Sequence, residues 1–267
     1  MQKKEINTST ETPHEDVSCA DRQLIGPPDQ SLPTEPEILA MLQQLAGAES
    51  LTLFLRLRQE LLEWNTRVNL TAITDPVEVL LKHFLDALSL LELCGSTEEA
   101  RVLDIGAGAG FPGLPLKIAR PQWSMVLLEA TGKKVAFQRH SIAALGLSAI
   151  EAIHGRAEEL AHSAGYRASF DLVTARAVAS LPVLLEYAAP FCRVGGQILL
   201  PKKGDLAAEL EQGQQAASKL GLVFKTEHIV TLPGLADGRR ILVWEQIEPC
   251  PQQYPRSGSA MAKRPLG

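Results

Sequence analysis

Asp104, Gly106, Gly108 and Gly110 stand at alternate positions in one stretch, followed directly by Phe111-Pro112-Gly113. The glycines allow a tight turn and let a ligand approach the backbone closely. A helix that starts after such a turn offers unpaired N–H groups to that ligand. The dinucleotide fingerprint Gly-x-Gly-x-x-Gly places its third glycine differently. A carboxylate one position from the strand end repels a pyrophosphate and attracts a cation. S-adenosylmethionine, with its ammonium and sulfonium, is a nucleoside of that kind.

Two further acids extend the pattern. Glu129, followed by Ala130, lies 25 positions after Asp104, about the spacing at which an acid accepts the hydrogen bonds of a ribose diol. An ordinary exposed loop acid is the alternative. In Gly155-Arg156-Ala157-Glu158, Ala157 and Glu158 are placed to flank an adenine, or Glu158 is simply an acid at a helix start. Arg176, in Thr174-Ala175-Arg176-Ala177, marks the strand end nearest a reacting methyl. No Asn/Asp-Pro-Pro-aromatic cradle for an exocyclic amine occurs there. The one Pro-Cys pair, at Cys250, lies past the last strand. An acceptor such as guanine N7 needs neither an amine cradle nor a cysteine. Its lone pair is free at neutral pH, so alignment does most of the work and no proton-transfer residue is required. Arg176 suits the N7/O6 pair of guanine, a cofactor or phosphate contact, or a structural ion pair.

The elements that must position these residues follow from apolar periodicity. Val102–Ile105 reads as a buried strand, with Pro112 as the first residue of the helix after the turn. Further strands are expected at 125–129, 149–153, 170–174 and 197–200. Helices are expected at 132–145, 180–191 and 205–220. An antiparallel pair, 223–230 and 240–245, closes the sheet. This alternation predicts an α/β, Rossmann-like fold with a seven-stranded, mostly parallel sheet. Ahead of it, Ile38–Leu45, Leu51–Trp64 and Pro76–Leu91 read as the helices of an N-terminal cap. The expected organisation is a disordered acidic arm (1–35), a helical cap (36–98), the α/β domain (99–248) and a basic tail (249–267).

The net charge is −5. Residues 1–37 carry three basic and eight acidic residues, so the remainder is neutral overall and local basic patches decide the partners. Candidate RNA contacts are Lys133, Lys134 and Arg139 on the wet side of one helix, Lys202 and Lys203, and Arg256 and Lys263 in the tail. That tail reads as a flexible solubilising end or as a phosphate-contacting strap. Four scattered cysteines and six scattered histidines show no metal-ligand spacing, so reduced thiols and no metal are expected. No apolar run reaches membrane length, and no signal or transit peptide is read at the N-terminus. A cytoplasmic monomer is expected.

Taken together, Asn65-x-x-x-Asn69-Leu70-Thr71, His83-Phe84-Leu85-Asp86-Ala87-Leu88, Asp104-Ile105-Gly106-x-Gly108-x-Gly110-Phe111-Pro112-Gly113, Arg156-Ala157-Glu158, Thr174-Ala175-Arg176-Ala177 and Tyr254-Pro255-Arg256 resemble one family. It is the bacterial small-subunit rRNA guanine-N7 methyltransferase family, also called the glucose-inhibited division protein B family. The resemblance spans about residues 36–266. It implies a class I S-adenosylmethionine-dependent methyltransferase fold with a helical cap, S-adenosylmethionine as donor, and N7 of one guanosine in 16S rRNA as acceptor. The RNA would be presented alone, in the small subunit or in an assembly intermediate. Gly106, Phe111, Ala157, Glu158 and Arg176 match the family's cofactor-contacting positions. Glu129-Ala130 stands where the family usually has Asp-Ser, and the longer carboxylate still reaches a diol. The tail is longer than the family's usual Gly-x-Pro-x-Lys-x-Pro-Leu. Asn69, His83 and Asp86 read as ties between cap and core. Three alternatives stand beside this reading: a methyltransferase of another substrate, a nicotinamide oxidoreductase, which the glycine spacing disfavours, and a non-catalytic ribosome-assembly factor.

Overall fold

Apolar periodicity changes from helical to strand-like shortly before Arg101, and the architecture changes with it. A computed structural model describes residues 32–94, 98–176 and 179–267. The acidic arm expected over 1–35 lies almost wholly outside the described residues, as does Ala177.

The cap opens with α1 (Glu35–Ala46), where the Glu37 carboxylate accepts the Thr34 N–H at 2.8 Å, a capping-box contact. Helix α2 (Leu51–Asn65) buries Phe54, Leu57 and Leu61. The helix expected over Pro76–Leu91 is present but not uniform. It begins as α3 (Pro76–Val79), capped by Asp75, widens into a π turn (Leu80–Leu85), and returns to α-helix as α4 (Asp86–Leu88). The π turn buries Leu80, Leu81, His83, Phe84 and Leu85, more than one face of a regular helix carries. Such turns concentrate at functional sites.

The sheet has seven strands in the order β3-β2-β1-β4-β5-β7-β6. They are β1 (Arg101–Ile105), β2 (Ser124–Glu129), β3 (Ile150–His154), β4 (Phe170–Ala175), β5 (Cys192–Lys203), β6 (Leu222–Ile229) and β7 (Arg239–Gln246). Strands β1 to β5 are parallel. Strand β7 runs antiparallel between β5 and β6. The connecting helices are α5 (Gly113–Ala119), α6 (Gly132–Ala144), α7 (Ala157–Leu160), α8 (Leu181–Ala188) and α9 (Ala207–Leu220). The expected Rossmann-like, mostly parallel sheet is therefore present.

Several boundaries differ from the sequence reading, three of them for a visible local reason. Strand β3 starts at Ile150 because Ala149 sits at φ +50°, outside the extended region. Strand β5 runs to Lys203 because β7 pairs with it from Gln197 to Lys203, past the point where Pro201 interrupts its pattern. Helix α5 begins at Gly113, with Pro112 as its N-cap.

The tail is not loose. It ends in α10 (Gly258–Lys263) and buries Tyr254, Met261 and Leu266. Arg256 meets Glu186, which is fully buried, through its backbone N–H at 2.9 Å and its guanidinium at 2.7 and 2.6 Å. Arg167 donates to the carbonyls of Cys250, Pro251 and Tyr254. The reading of a flexible end is thereby corrected: a buried carboxylate that needs a cation holds the segment down.

One apolar cluster joins the cap (Ile38, Phe54, Phe84) to one sheet face (Leu114, Leu127, Phe137). A second lies on the opposite face, under α8 and α9, and takes in Tyr254 and Leu266. The cap thus shares its core with the sheet.

Candidate functional site

Strand β1 delivers the chain into the glycine turn at the carboxyl edge of the sheet. Gly106, Gly108 and Gly110 have φ of +66°, +59° and +84°, a region that side chains disfavour. A Cβ at Gly110 would also run into the Leu114 side chain. The turn is fastened at Gly108 on both sides. Its N–H donates to Glu129 Oε2 at 2.9 Å, and its carbonyl accepts from Gln138 Nε2 of α6 at 2.8 Å. Glu129 Oε1 accepts the Thr131 N–H at 2.8 Å, so one carboxylate links the turn to the chain entering α6.

Asp104 has a different place from the one expected. It is fully buried, and its Oδ2 accepts the first N–H of α5, from Gly113, at 2.9 Å. It caps that helix and is not part of the cleft lining described below. Burial pushes its carboxyl up to about 7, against the pull of the Gly113 N–H and of Arg176. Its Oδ1 is buried and makes no hydrogen bond.

The π turn brings the opposite wall. The His83 ring stacks on Phe111, centroids 4.7 Å apart and planes 10° apart. Its Nε2 lies 2.8 Å from Thr71 Oγ1, and Nδ1 lies 3.5 Å from Arg176 Nη2. Burial, Arg176 and Arg239 together lower its pKa to about 3. The ring is therefore neutral at physiological pH. A guanidinium can only donate, so the ring nitrogen facing Arg176 is placed to accept, while a hydrogen bond to the Lys82 backbone favours the protonated ring. Thr71 is itself set by Asn65, whose Oδ1 accepts the N–H groups of Leu70 and Thr71 at 2.9 and 3.1 Å.

Asp86 ties the cap to two strands. Its Oδ2 accepts Arg176 Nη1, beyond β4, at 2.9 Å, and its Oδ1 accepts Arg239 Nη1 of β7. The Arg176 guanidinium lies 5.9 Å from the Phe111 ring centroid. The expected ties through His83 and Asp86 are both present. Asn69 instead lines a polar pocket with Asn65, Arg67 and Lys133.

These walls enclose a cleft of about 400 Å³. The Gly106–Ala109 backbone, Glu129, Ala130 and Lys134 line one side; Thr71, His83, Phe111 and Arg176 line the other. Of the sequence-predicted site residues, the cleft thus collects Gly106, Gly108, Phe111, Glu129, Ala130, Arg176 and Lys134. Gly110, Ala157 and Glu158 stand outside this lining. Ala157 is buried at the start of α7, and the Glu158 carboxylate lies 4.0 Å from Arg156, next to Gly258 of the tail.

Several expected RNA contacts have structural partners. Arg139 Nε donates to the Ala152 carbonyl at 3.1 Å, Lys202 pairs with Glu209 at 2.6 Å, and Lys203 pairs with Asp237 at 2.8 Å. Arg256 is engaged by Glu186 on three donors and anchors the tail. Lys133 and Lys263 are exposed. Among the described residues no group of three or more His, Cys, Asp or Glu could hold a metal ion, and no helix is long and apolar enough to cross a membrane.

A cationic nucleoside fits what is present. Two left-handed glycines carry no side chain to bar a ligand from the backbone, whose N–H groups are held by Leu128 and Glu129, and the Glu129 carboxylate lies beside them.

Comparison with known proteins decides the family. The family model described as rRNA small subunit methyltransferase G matches residues 50–234. The chain belongs to this family. A ribosomal RNA small subunit methyltransferase G of Dehalococcoides mccartyi is 48% identical over 209 residues, covering 78% of this chain and 88% of the relative. That of Desulfitobacterium hafniense is 39% identical over 241 residues, covering 88% and 99%. Among solved structures, TrmN from Thermus thermophilus aligns with a TM-score of 0.48 and 21% identity, over 62% of this chain and 53% of that one. The resemblance drawn from the motifs is thereby borne out, and the family is one of S-adenosylmethionine-dependent methyltransferases.

Two residues of the site were not read from the sequence. Gln138 is fully buried beside Val135 and Phe137 on α6, and a polar residue on an apolar helix face was its available signal. Arg239 is 5% exposed and gave no local signal, because its partner Asp86 is 153 positions away.

Proposed function

We propose that this chain transfers the methyl group of S-adenosylmethionine to N7 of one guanosine in 16S rRNA, presented in the small subunit or one of its assembly intermediates. One observation carries the reading: a single cleft joins the Gly106–Gly108 turn and Glu129 to His83 and Arg176. The first group suits a cationic nucleoside and its ribose. The second suits an acceptor that brings its own lone pair.

When bound, the cofactor supplies an electrophilic methyl on sulfur. Glu129 is assigned the ribose diol, Gly106 and Gly108 the methionine end, and Ala157 and Glu158 the adenine edge. Asp104 acts at one remove, by fixing the start of α5. Guanine N7 needs no base, and the site matches that economy. His83 is neutral and hydrogen-bonded on Nε2. Phe111 and the His83 ring give the cleft a flat, rigid wall. Catalysis is then alignment of the acceptor with the methyl.

Labelled-methyl transfer is measured to small subunits, to naked 16S rRNA and to total protein. Label in RNA, recovered as N7-methylguanosine, is the expected result. Label that never enters RNA overturns the reading.

A further inference from the structure

Beside the cleft lies a second cavity, of about 460 Å³, that the account above leaves without a part. The two share His83 and Arg176. Its other walls come from the cap and from strands β5 and β7. Six lining side chains are cationic, Lys82, Arg176, Lys202, Lys203, Arg239 and Arg240, against one carboxylate, Asp86. The remaining surface is largely apolar: Ile73, Pro201, Val230 and Ile241.

The charges are graded by depth. The Arg239 side chain is 5% exposed, Lys82 26%, Arg240 33% and Lys203 55%. Acids outside the lining hold them: Glu78 on Lys82 at 2.6 Å, Asp237 on Lys203 at 2.8 Å, and Glu227 on Arg240. An ammonium has three donors and a guanidinium five. These pairs fix the direction of each side chain and leave donors for an anion.

We propose that this cavity receives the acceptor nucleotide, extruded from the RNA, with its base against Ile73, Val230 and Ile241 and its flanking phosphates on Lys82, Lys203 and Arg240. The proposal rests on the rRNA methyl-transfer reading above. An enzyme that works on a base takes it out of the stack. The base then needs apolar faces inside, and the phosphates need cations at the rim. The shared wall at His83 and Arg176 is where N7 meets the methyl. Arg176 is assigned to O6 and not to N7, whose lone pair must stay free. That pair forms the new N–C bond as the S–C bond breaks. The S–C electrons stay on sulfur, and the positive charge passes from sulfur to the base. No proton moves. Asp86 is a positioning residue here, holding Arg176 and Arg239 apart on its two oxygens.

The test uses the full chain, undermethylated small subunits and labelled S-adenosylmethionine. Val230→Trp fills the cavity without touching the donor cleft. Its donor affinity is expected within twofold of wild type, while kcat/KM for RNA falls at least about 100-fold. Lys203→Ala with Arg240→Ala alters only exposed or half-exposed side chains and decides the matter if Val230→Trp folds poorly. It is expected to raise KM for RNA about tenfold with little change in kcat, and to flatten the salt dependence of kcat/KM by about 1 to 2 in log–log slope. If wild type labels no RNA, the functional reading fails and takes this proposal with it. If wild type labels RNA and the double variant keeps its KM and salt slope, the cavity assignment alone is overturned.

Discussion

Glu129 accepts the backbone N–H of Gly108 at 2.9 Å through one carboxylate oxygen and keeps lone pairs for a ligand. The residue assigned to the ribose thus also sets the shape of the turn assigned to the methionine end. Glu129→Ala removes both functions. Donor affinity is expected to fall about 10- to 100-fold, the value of one or two charge-assisted hydrogen bonds, and the thermal transition to fall with it, because the Gly108 and Thr131 N–H groups lose their acceptor. Titration calorimetry with S-adenosylmethionine checks this. Wild-type affinity in Glu129→Ala would remove Glu129 from the site.

Asp86→Ala leaves Arg239 buried beside Arg176 with less negative charge to offset either cation. A loss of about 3 kcal/mol is expected from an uncompensated buried charge, moderated by Asp237, which lies 2.9 Å from Arg239 Nε. Asp86→Asn keeps an acceptor and costs less. Denaturant unfolding of the two variants checks the order. Equal stability of Asp86→Ala and wild type would show that the bridge carries no net energy.

Two buried groups give opposed pH dependences. His83 has its pKa lowered from 6.5 to about 3, so its contribution to stability is present above pH 6.5 and is lost as pH falls toward 3. Asp104 has its pKa raised from 3.8 to about 7, so its contribution is present below pH 4 and is lost as pH rises toward 7. Between about pH 4 and 6.5 the two offset each other, and single variants separate them. Relative to wild type, His83→Gln is expected to gain stability as pH falls below 6.5. Asp104→Asn, which keeps an acceptor for Gly113, is expected to gain as pH rises from 4 to 7. Each slope is at most about 1.4 kcal/mol per pH unit. Urea unfolding from pH 4 to 8 measures both. Parallel curves for wild type and variants would contradict the assignment.

Glu186 is fully buried and depends on Arg256. Arg256→Leu alone is expected to cost about 3–5 kcal/mol, because it strands a buried carboxylate. Arg256→Leu with Glu186→Leu is expected to recover most of that loss. If the double variant is no more stable than the single, the pair is not what anchors the tail.

What could be read from the sequence was local. The strand and glycine turn announce themselves within a few residues of one another, Glu129 follows at a recognisable spacing, and His83–Asp86 stands in one run where the π turn passes into α4. What could not be read was set by partners far along the chain. Arg176 and Asp86 are 90 positions apart, and no periodicity records that they meet. The tail looked loose because its spacing departs from the family's, yet Tyr254, Met261 and Leu266 find apolar surface and Arg256 finds Glu186. The position of Asp104 beside the turn is visible in the sequence and points to a ligand group, whereas its turn inward to the Gly113 N–H depends on three-dimensional packing.

The central claim is tested most directly by mapping N7-methylguanosine in 16S rRNA from cells with and without this protein, and from cells carrying Gly106→Asp. The account predicts one modified guanosine that is lost without the protein and is not restored by Gly106→Asp. An unchanged methylation map in its absence would contradict it.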